Sequence, residues 1–137
     1  MTDRIDRAVL GEDEWRHLSR AAWSVMENAR VHGKTKVGAA VMSAQGQIFE
    51  GCNVEHRFRS HDVHAEVNAL TTMASVGHGP AIAILIASRR ERFTPCGGCL
   101  DWIFELAGPE CLVAFQGQPG DSRLELRARE LMPHYPR

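Results

Sequence analysis

Four side chains in this 137-residue chain have types and spacings that could do chemistry: Cys96 and Cys99 in "PCGGC", and His64 and Glu66 in "DVHAEVNAL". Two cysteines at C-x-x-C spacing on a helix start can turn both sulfurs toward one point, and the positive end of the helix favours their thiolate forms. Pro95, just before the first sulfur, helps fix the approach. Structural zinc sites usually take four protein ligands, yet no second C-x-x-C and no H-x₃-H is present. His64, Cys96 and Cys99 make three ligands and leave the fourth position to water, which is a catalytic arrangement. A zinc ion lowers the pKa of its water from about 15.7 toward about 7. Glu66, two residues beyond the histidine, could stand beside that water and move its protons. Plainer readings exist. A carboxylate near a helix start complements the dipole, and C-x-x-C can be a redox dithiol. The dithiol reading expects the first strand to lead into the motif, whereas here the motif lies late in the chain, and it leaves His64 and Glu66 without a role.

Elements must carry these residues to one place. Apolar residues at Trp15, Leu18, Ala22, Val25, Met26 and Ala29 recur at helical spacing, so a helix is expected from Glu12 to about Val31. "VGAAVMS" and "QIFEGCNV" are expected as two strands joined at "AQG". A second helix should start with Asp62 as N-cap and run to about Val76. "AIAILIAS" (81–88) is apolar on both parities, as a central strand covered on both faces would be. After the loop "RRERFTP", a third helix is expected from about Cys96 to Leu106, then the buried strand "CLVAF". The Gly/Pro turn "GQPGD" follows, then a short fifth strand in "SRLELRA". The order α-β-β-α-β-α-β-β predicts a single domain over residues 1–137. Its fold class is α/β, a three-layer α/β/α sandwich around a five-stranded mixed sheet.

The composition, 44% hydrophobic and 24% charged, is that of an ordinary soluble globular chain. A formal net charge of −1 gives no electrostatic reason to expect nucleic acid or an anionic membrane as partner. The longest apolar run is too short to span a bilayer, and "MTDRIDRAVLGEDEW" has charges where a signal peptide needs an apolar stretch. The expected address is cytoplasmic. Four cysteines in such a setting suit thiols or metal ligands better than disulfides, and Cys52 and Cys111 are expected to be small core residues.

H-x-E on one helix start and P-C-x-x-C on the next, with an apolar strand between, is an established signature of zinc deaminases, so this step follows a known pattern. From these motifs outward the chain resembles the cytidine deaminase superfamily, specifically the small homotetrameric cytidine deaminases and blasticidin-S deaminase. "KVGAAV" (36–41) is similar to the family's first strand and "GCNVE" (51–55) to its nucleoside-binding stretch. "RELMPHY" (129–135) is similar to the C-terminal segment of tetrameric members. The resemblance implies one zinc per chain on His64, Cys96 and Cys99, with Glu66 as the catalytic proton carrier. It implies sugar binding by Asn53 and Glu55 and base contacts from the backbone near Ala65 and Pro95. It also implies that Leu131, Met132 and Tyr135 reach a neighbouring subunit, giving a homotetramer, with a homodimer as the alternative.

Three departures are informative. Compact tetrameric members place a cysteine where His64 stands and an arginine where Val67 stands. Three thiolates on Zn²⁺ leave net −1, which the arginine offsets; with histidine the site is neutral and needs no arginine. The family's phenylalanine beside the base falls at Thr35 or Lys36. The stretch "HRFRSHDV" brings Arg57 and Arg59, which suit either an anionic or strongly hydrogen-bonding part of the substrate or a subunit contact. "HAEVNAL" itself looks closer to deoxycytidylate and guanine deaminases. The implied activity is zinc-dependent hydrolytic removal of an exocyclic amine from a cytidine-like nucleoside or analogue. The alternatives are deoxycytidylate, guanine or a cytosine-nucleoside antibiotic as substrate, and, further off, a nucleic-acid base editor or a non-catalytic zinc module. Asn68 is open between a packed polar group and a mark of a different substrate.

Overall fold

The computed structural model describes residues 10–90, 94–120 and 122–136. The expectation drawn from the first nine residues, part of the loop "RRERFTP" and Asp121 of the Gly/Pro turn lie outside the described residues. The elements are α1 (Glu12–Met26), β1 (Gly38–Ser43), β2 (Ile48–Cys52), α2 (Ala65–Ser75), β3 (Ala81–Ala87), α3 (Gly97–Leu106), β4 (Leu112–Gln116), β5 (Leu124–Arg127) and α4 (Ala128–Leu131), with a 3₁₀ turn at Arg59–His61. The strands form one sheet in the order β2-β1-β3-β4-β5. Only the β3–β4 pair is parallel, and α3 supplies the crossover such a pair needs. The expected five-stranded mixed sheet is therefore the one observed.

Alternation along the strands divides the core into two layers. Val41, Ile84, Ile86, Val113 and Phe115 pack with α2 and α3 on one face. Ala40, Met42, Leu85 and Ala114 pack with Trp15, Leu18, Ala22 and Met26 of α1 on the other. Strand β3, buried along its whole length, has to be apolar on both parities because both faces are covered. Helix α1 is tied to the end of β4 by polar contacts as well: Ser19 Oγ and Trp23 Nε1 both donate to Gln116 Oε1, at 2.6 and 2.9 Å.

Two boundaries differ from the sequence expectation. Helix α1 stops at Met26, not near Val31. The backbone of Arg30 leaves the helix to pair with the end of β2, its N–H donating to Asn53 O and its carbonyl accepting from Glu55 N. Apolar spacing at Ala29 suits either course, and the strand-like pairing prevails. The N-cap of α2 is His64, not Asp62, whose carboxylate is held by the loop before the helix. At the other end of the chain, Leu131, Met132 and Tyr135 pack on this chain's own α2–α3 layer. The Tyr135 ring stacks on Phe104 at 4.2 Å, and its hydroxyl donates to Asp101.

The face of the sheet that carries α2 depends on a close approach. A Cβ at Gly51 of β2 would lie 2.6 Å from the backbone nitrogen of Ala69 and 2.7 Å from Cβ of Asn68. Glycine there lets the helix lie directly on the strand. Gly51→Ala should push α2 off the sheet and lower stability by about 1–3 kcal/mol. The check is the midpoint of urea unfolding, and an unchanged midpoint would contradict the packing described.

Candidate metal centre and adjoining cavity

Helices α2 and α3 pack side by side on the sheet, so their N-termini emerge together. Each presents a residue of the C-x-x-C or H-x-E motif at its cap. Cys96 is the N-cap of α3, and its sulfur accepts from the Cys99 N–H at 3.4 Å. His64 occupies the N-cap of α2 with extended backbone, yet its side chain makes no bond to the helix it precedes. The imidazole turns across to α3 instead. Its Nδ1 lies 3.1 Å from Cys99 Sγ and 3.5 Å from Cys96 Sγ, and the two sulfurs are 3.5 Å apart.

The backbone before α2 explains how His64 is held. Val54 and Val63 exchange both N–H···O bonds, at 2.8 and 2.9 Å, which pins the residue next to His64. Asn68, one turn into α2, donates from Nδ2 to Cys52 O at 3.0 Å and ties the helix to the end of β2. Asn68 thus has a packing role, which answers the question its sequence position left open.

The three donor atoms fit zinc. Bonds of about 2.3 Å to sulfur and 2.0–2.1 Å to nitrogen, at tetrahedral angles, require donor separations of about 3.5–3.8 Å. The observed triangle is within a few tenths of an ångström of that. Nδ1 faces both sulfurs, so it is the ring nitrogen that could join them on a metal. His64 and Cys96 are exposed while Cys99 is buried, so the cluster has one open side. Burial, with the Glu66 carboxylate beside it, pushes the Cys99 thiol far above the ordinary thiol range. Two thiols and a carboxyl converging without a countercharge are the donor set that a bound divalent cation reverses, because it draws the thiols into their anionic form.

Glu66 is only 3% exposed. Burial raises its carboxyl above the usual range, and a hydrogen bond from its own backbone N–H, His64 and Cys99 act in the other direction. The carboxylate reaches the Cys99 sulfur, so it lies at the metal cluster on its buried side.

The open side faces a cavity of about 400 Å³, lined among others by Asn53, Glu55, Arg59, His64, Glu66 and Cys96. Ala65 also lines it, whereas Pro95 is buried and outside the lining, and Arg57 is exposed and outside it. Asn53 and Glu55 are neither turn residue nor solvated charge. Asn53 Oδ1 accepts from Val37 N at 2.8 Å and its Nδ2 donates to Thr35 O at 2.9 Å. Glu55 Oε1 accepts from the backbone N–H of His32 and Gly33, and its Oε2 pairs with Arg59 at 2.9 Å. Arg59 also donates from Nε to Asp62 Oδ2 at 2.8 Å, and Asp62 Oδ1 accepts from His56 N. Sequence reasoning passed over Arg90 and Thr94, which line the cavity too. Both lie in the plain connection after β3, where no motif marks them.

Comparison with known proteins agrees with this geometry. A family model described as the cytidine and deoxycytidylate deaminase zinc-binding region matches residues 13–115. A probable cytidine deaminase of Dictyostelium discoideum is 32% identical over 100 residues, 72% of this chain and 66% of that protein. A cytidine deaminase of Halalkalibacterium halodurans is 30% identical over 118 residues, 85% of this chain and 89% of the relative. The crystal structure of a cytidine deaminase from Burkholderia pseudomallei has a TM-score of 0.82 and 29% identity, covering 91% of this chain and 98% of that one.

Two outcomes are expected here. Cys99→Ala should fold but lose the metal, reading well under one zinc per chain by elemental analysis where the parent reads about one. A zinc-loaded variant would mean a different ligand set. The second concerns the rim. The Gly33 and His32 N–H groups hold Glu55 below its ordinary 4.5. The His56 N–H and Arg59 hold Asp62 below its ordinary 3.8. Carboxyls depressed on folding stabilise above their unfolded pKa and lose that contribution as pH falls through the folded one. The unfolding midpoint should therefore decline on acidification below about pH 5, and Arg59→Gln should make that decline shallower. Parallel curves for parent and variant would show that Arg59 contributes nothing to the clasp.

Proposed function

The chain belongs to the cytidine and deoxycytidylate deaminase family and is a zinc-dependent deaminase, and we propose that its substrate is a cytidine-like nucleoside or nucleoside analogue. The observation that carries this reading is the buried Glu66 carboxylate placed against a His-Cys-Cys donor triangle at the floor of a cavity. A structural zinc module has no need of such a carboxylate. His64 Nδ1 and the sulfurs of Cys96 and Cys99 would hold the zinc, which would supply a water acidic enough to lose a proton near neutral pH.

Glu66 takes one proton from the attacking water and passes it to the ring nitrogen as the water oxygen adds to the carbon bearing the amine. It then takes the remaining proton of the added hydroxyl and delivers it to the amine, so that ammonia departs as the carbonyl forms. Burial suits it to this work, because a carboxyl raised above its ordinary range holds a proton more readily than an exposed one. Ala65, which lines the cavity, orients the base. Asn53 and Glu55 hold sugar hydroxyls with the capacity their scaffold bonds leave over, since an amide carries two N–H groups and a carboxylate about four acceptor positions. Arg59, already bridging Glu55 and Asp62, keeps that carboxylate aimed into the cavity.

Assembly as a homotetramer is part of the same proposal. Supporting it are the likeness of "RELMPHY" to the tetrameric C-terminal segment and the exposed side chains of Val54, Phe58 and Val63 near the cavity rim. Among the described residues no helix is long and apolar enough to cross a membrane, and all four cysteines are free. Both are compatible with the cytoplasmic address proposed here.

Glu66→Gln keeps the shape and loses the proton carrier. Ammonia release from cytidine should fall at least about 10²–10⁴-fold while zinc content stays at the parent value. Turnover retained at a tenth of the parent rate would remove Glu66 from the mechanism.

A further inference from the structure

A second cavity, of about 260 Å³, lies against the first and shares Thr35 and Arg90 with it. Among the described residues its lining includes four cationic side chains, Lys34, Lys36, Arg89 and Arg90, and one carboxylate, Glu27. In a chain with 16 basic and 17 acidic residues, this is a strong local excess of positive charge. The cavity sits where the segment leading into β1 meets the exit of β3. That junction is hydrogen-bonded: Ser88 Oγ donates to Lys36 O at 3.0 Å, and Asn53 fixes the carbonyl of Thr35 and the N–H of Val37. The cations thus rise from a rigid base.

Among the described residues, Lys34, Lys36 and Arg89 make no ion pair, whereas Arg16, Arg59, Arg123, Arg127 and Arg129 each have a carboxylate partner. Arg89 lies over the Trp23 ring, 5.3 Å from its centroid. That contact orients the guanidinium and leaves its charge uncompensated.

We propose that this cavity is a phosphate-binding subsite. Lysine offers a compact point charge and arginine a planar fork, and together they match the oxygens of a phosphate dianion. Two sources share this chemistry: the phosphate of a phosphorylated substrate whose base occupies the neighbouring metal cavity, and free inorganic phosphate bound beside the site. The first source rests on the deaminase reading; the binding site itself does not.

The test titrates inorganic phosphate and cytidine 5′-monophosphate into the zinc-loaded full chain by calorimetry. The variants are Lys36→Gln, the triple Lys34→Gln/Lys36→Gln/Arg89→Gln, and Arg20→Gln on exposed α1 as a control for the loss of charge alone. Phosphate affinity should drop about tenfold or more in the triple variant, less in Lys36→Gln, and not in the control. It should also weaken with added salt. Rates with cytidine and its monophosphate separate the sources. A preference for the monophosphate that collapses in the variants identifies substrate phosphate, and phosphate binding without such a preference identifies the free ion. Equal affinity in parent, Lys36→Gln and triple variant, or no binding by the parent at millimolar phosphate, overturns the subsite. Two outcomes keep the proposals apart. A zinc-loaded parent that binds phosphate but releases no ammonia from any nucleoside would sink only the enzymatic reading, and Glu66→Gln, expected to be inactive, should bind phosphate at the parent affinity.

Discussion

Two sulfurs and an imidazole nitrogen can share one ion only if two helix N-termini meet, and most of this fold serves that meeting. Strand β3 is covered on both faces, so α2 and α3 are set side by side on one of them with their first turns level. A carboxylate buried at the same point adds a second demand, because an ionised group out of water is costly unless a partner compensates it. Glu66 of α2 is that carboxylate, next to Cys99, and a bound cation would be the partner that compensates it. The charge count fits such an ion: two thiolates and an uncharged imidazole would balance a divalent cation. Val67 nearby is apolar where an arginine would have a net charge to offset only if a third thiolate replaced His64.

The rim residues form a scaffold of their own around the cavity mouth. Glu55 closes the loop at His32 and Gly33 through one oxygen and holds Arg59 with the other. Arg59 in turn anchors Asp62, which caps the N–H of His56. Residues 55–62 are therefore a closed circuit of charge-assisted bonds around the cavity mouth. A group in such a circuit loses little conformational entropy on meeting a ligand, since its rotamer is already fixed. The cavity wall is set before anything enters it.

Much of this was legible in the sequence because it rests on period and spacing. The alternation of the strands, the doubly apolar β3 and the C-x-x-C motif are local patterns with one physical meaning each. The end of α1 was not legible: Ala29 continues the helical spacing, and only the pairing of Arg30 with Asn53 and Glu55, far along the chain, ends the helix. The N-cap of α2 was misassigned for a similar reason. Asp62 is a better capping residue than histidine by local preference, but its carboxylate is already bonded to Arg59 and His56. Asn53 and Glu55 could be matched to a motif, yet their bonds to backbone at Thr35, Val37, His32 and Gly33 are long-range and leave no periodic trace. Arg90 lies in a connection with no pattern at all.

Net charge is a poor guide to what such a surface attracts. A formal −1 makes a polyanion an unfavourable partner, because nucleic acid follows an extended basic stripe and is held by many phosphate contacts at once. A single phosphate asks for something different: a few cations on one concavity, uncompensated by neighbours. Pairing decides where such cations remain. Arg123, Arg127 and Arg129 pair with Glu12, Glu110 and Glu125, while among the described residues the cavity at the junction of β1 and β3 has one carboxylate, Glu27. A near-neutral chain can therefore carry one strongly positive pocket, and here that pocket adjoins the metal cavity through Thr35 and Arg90.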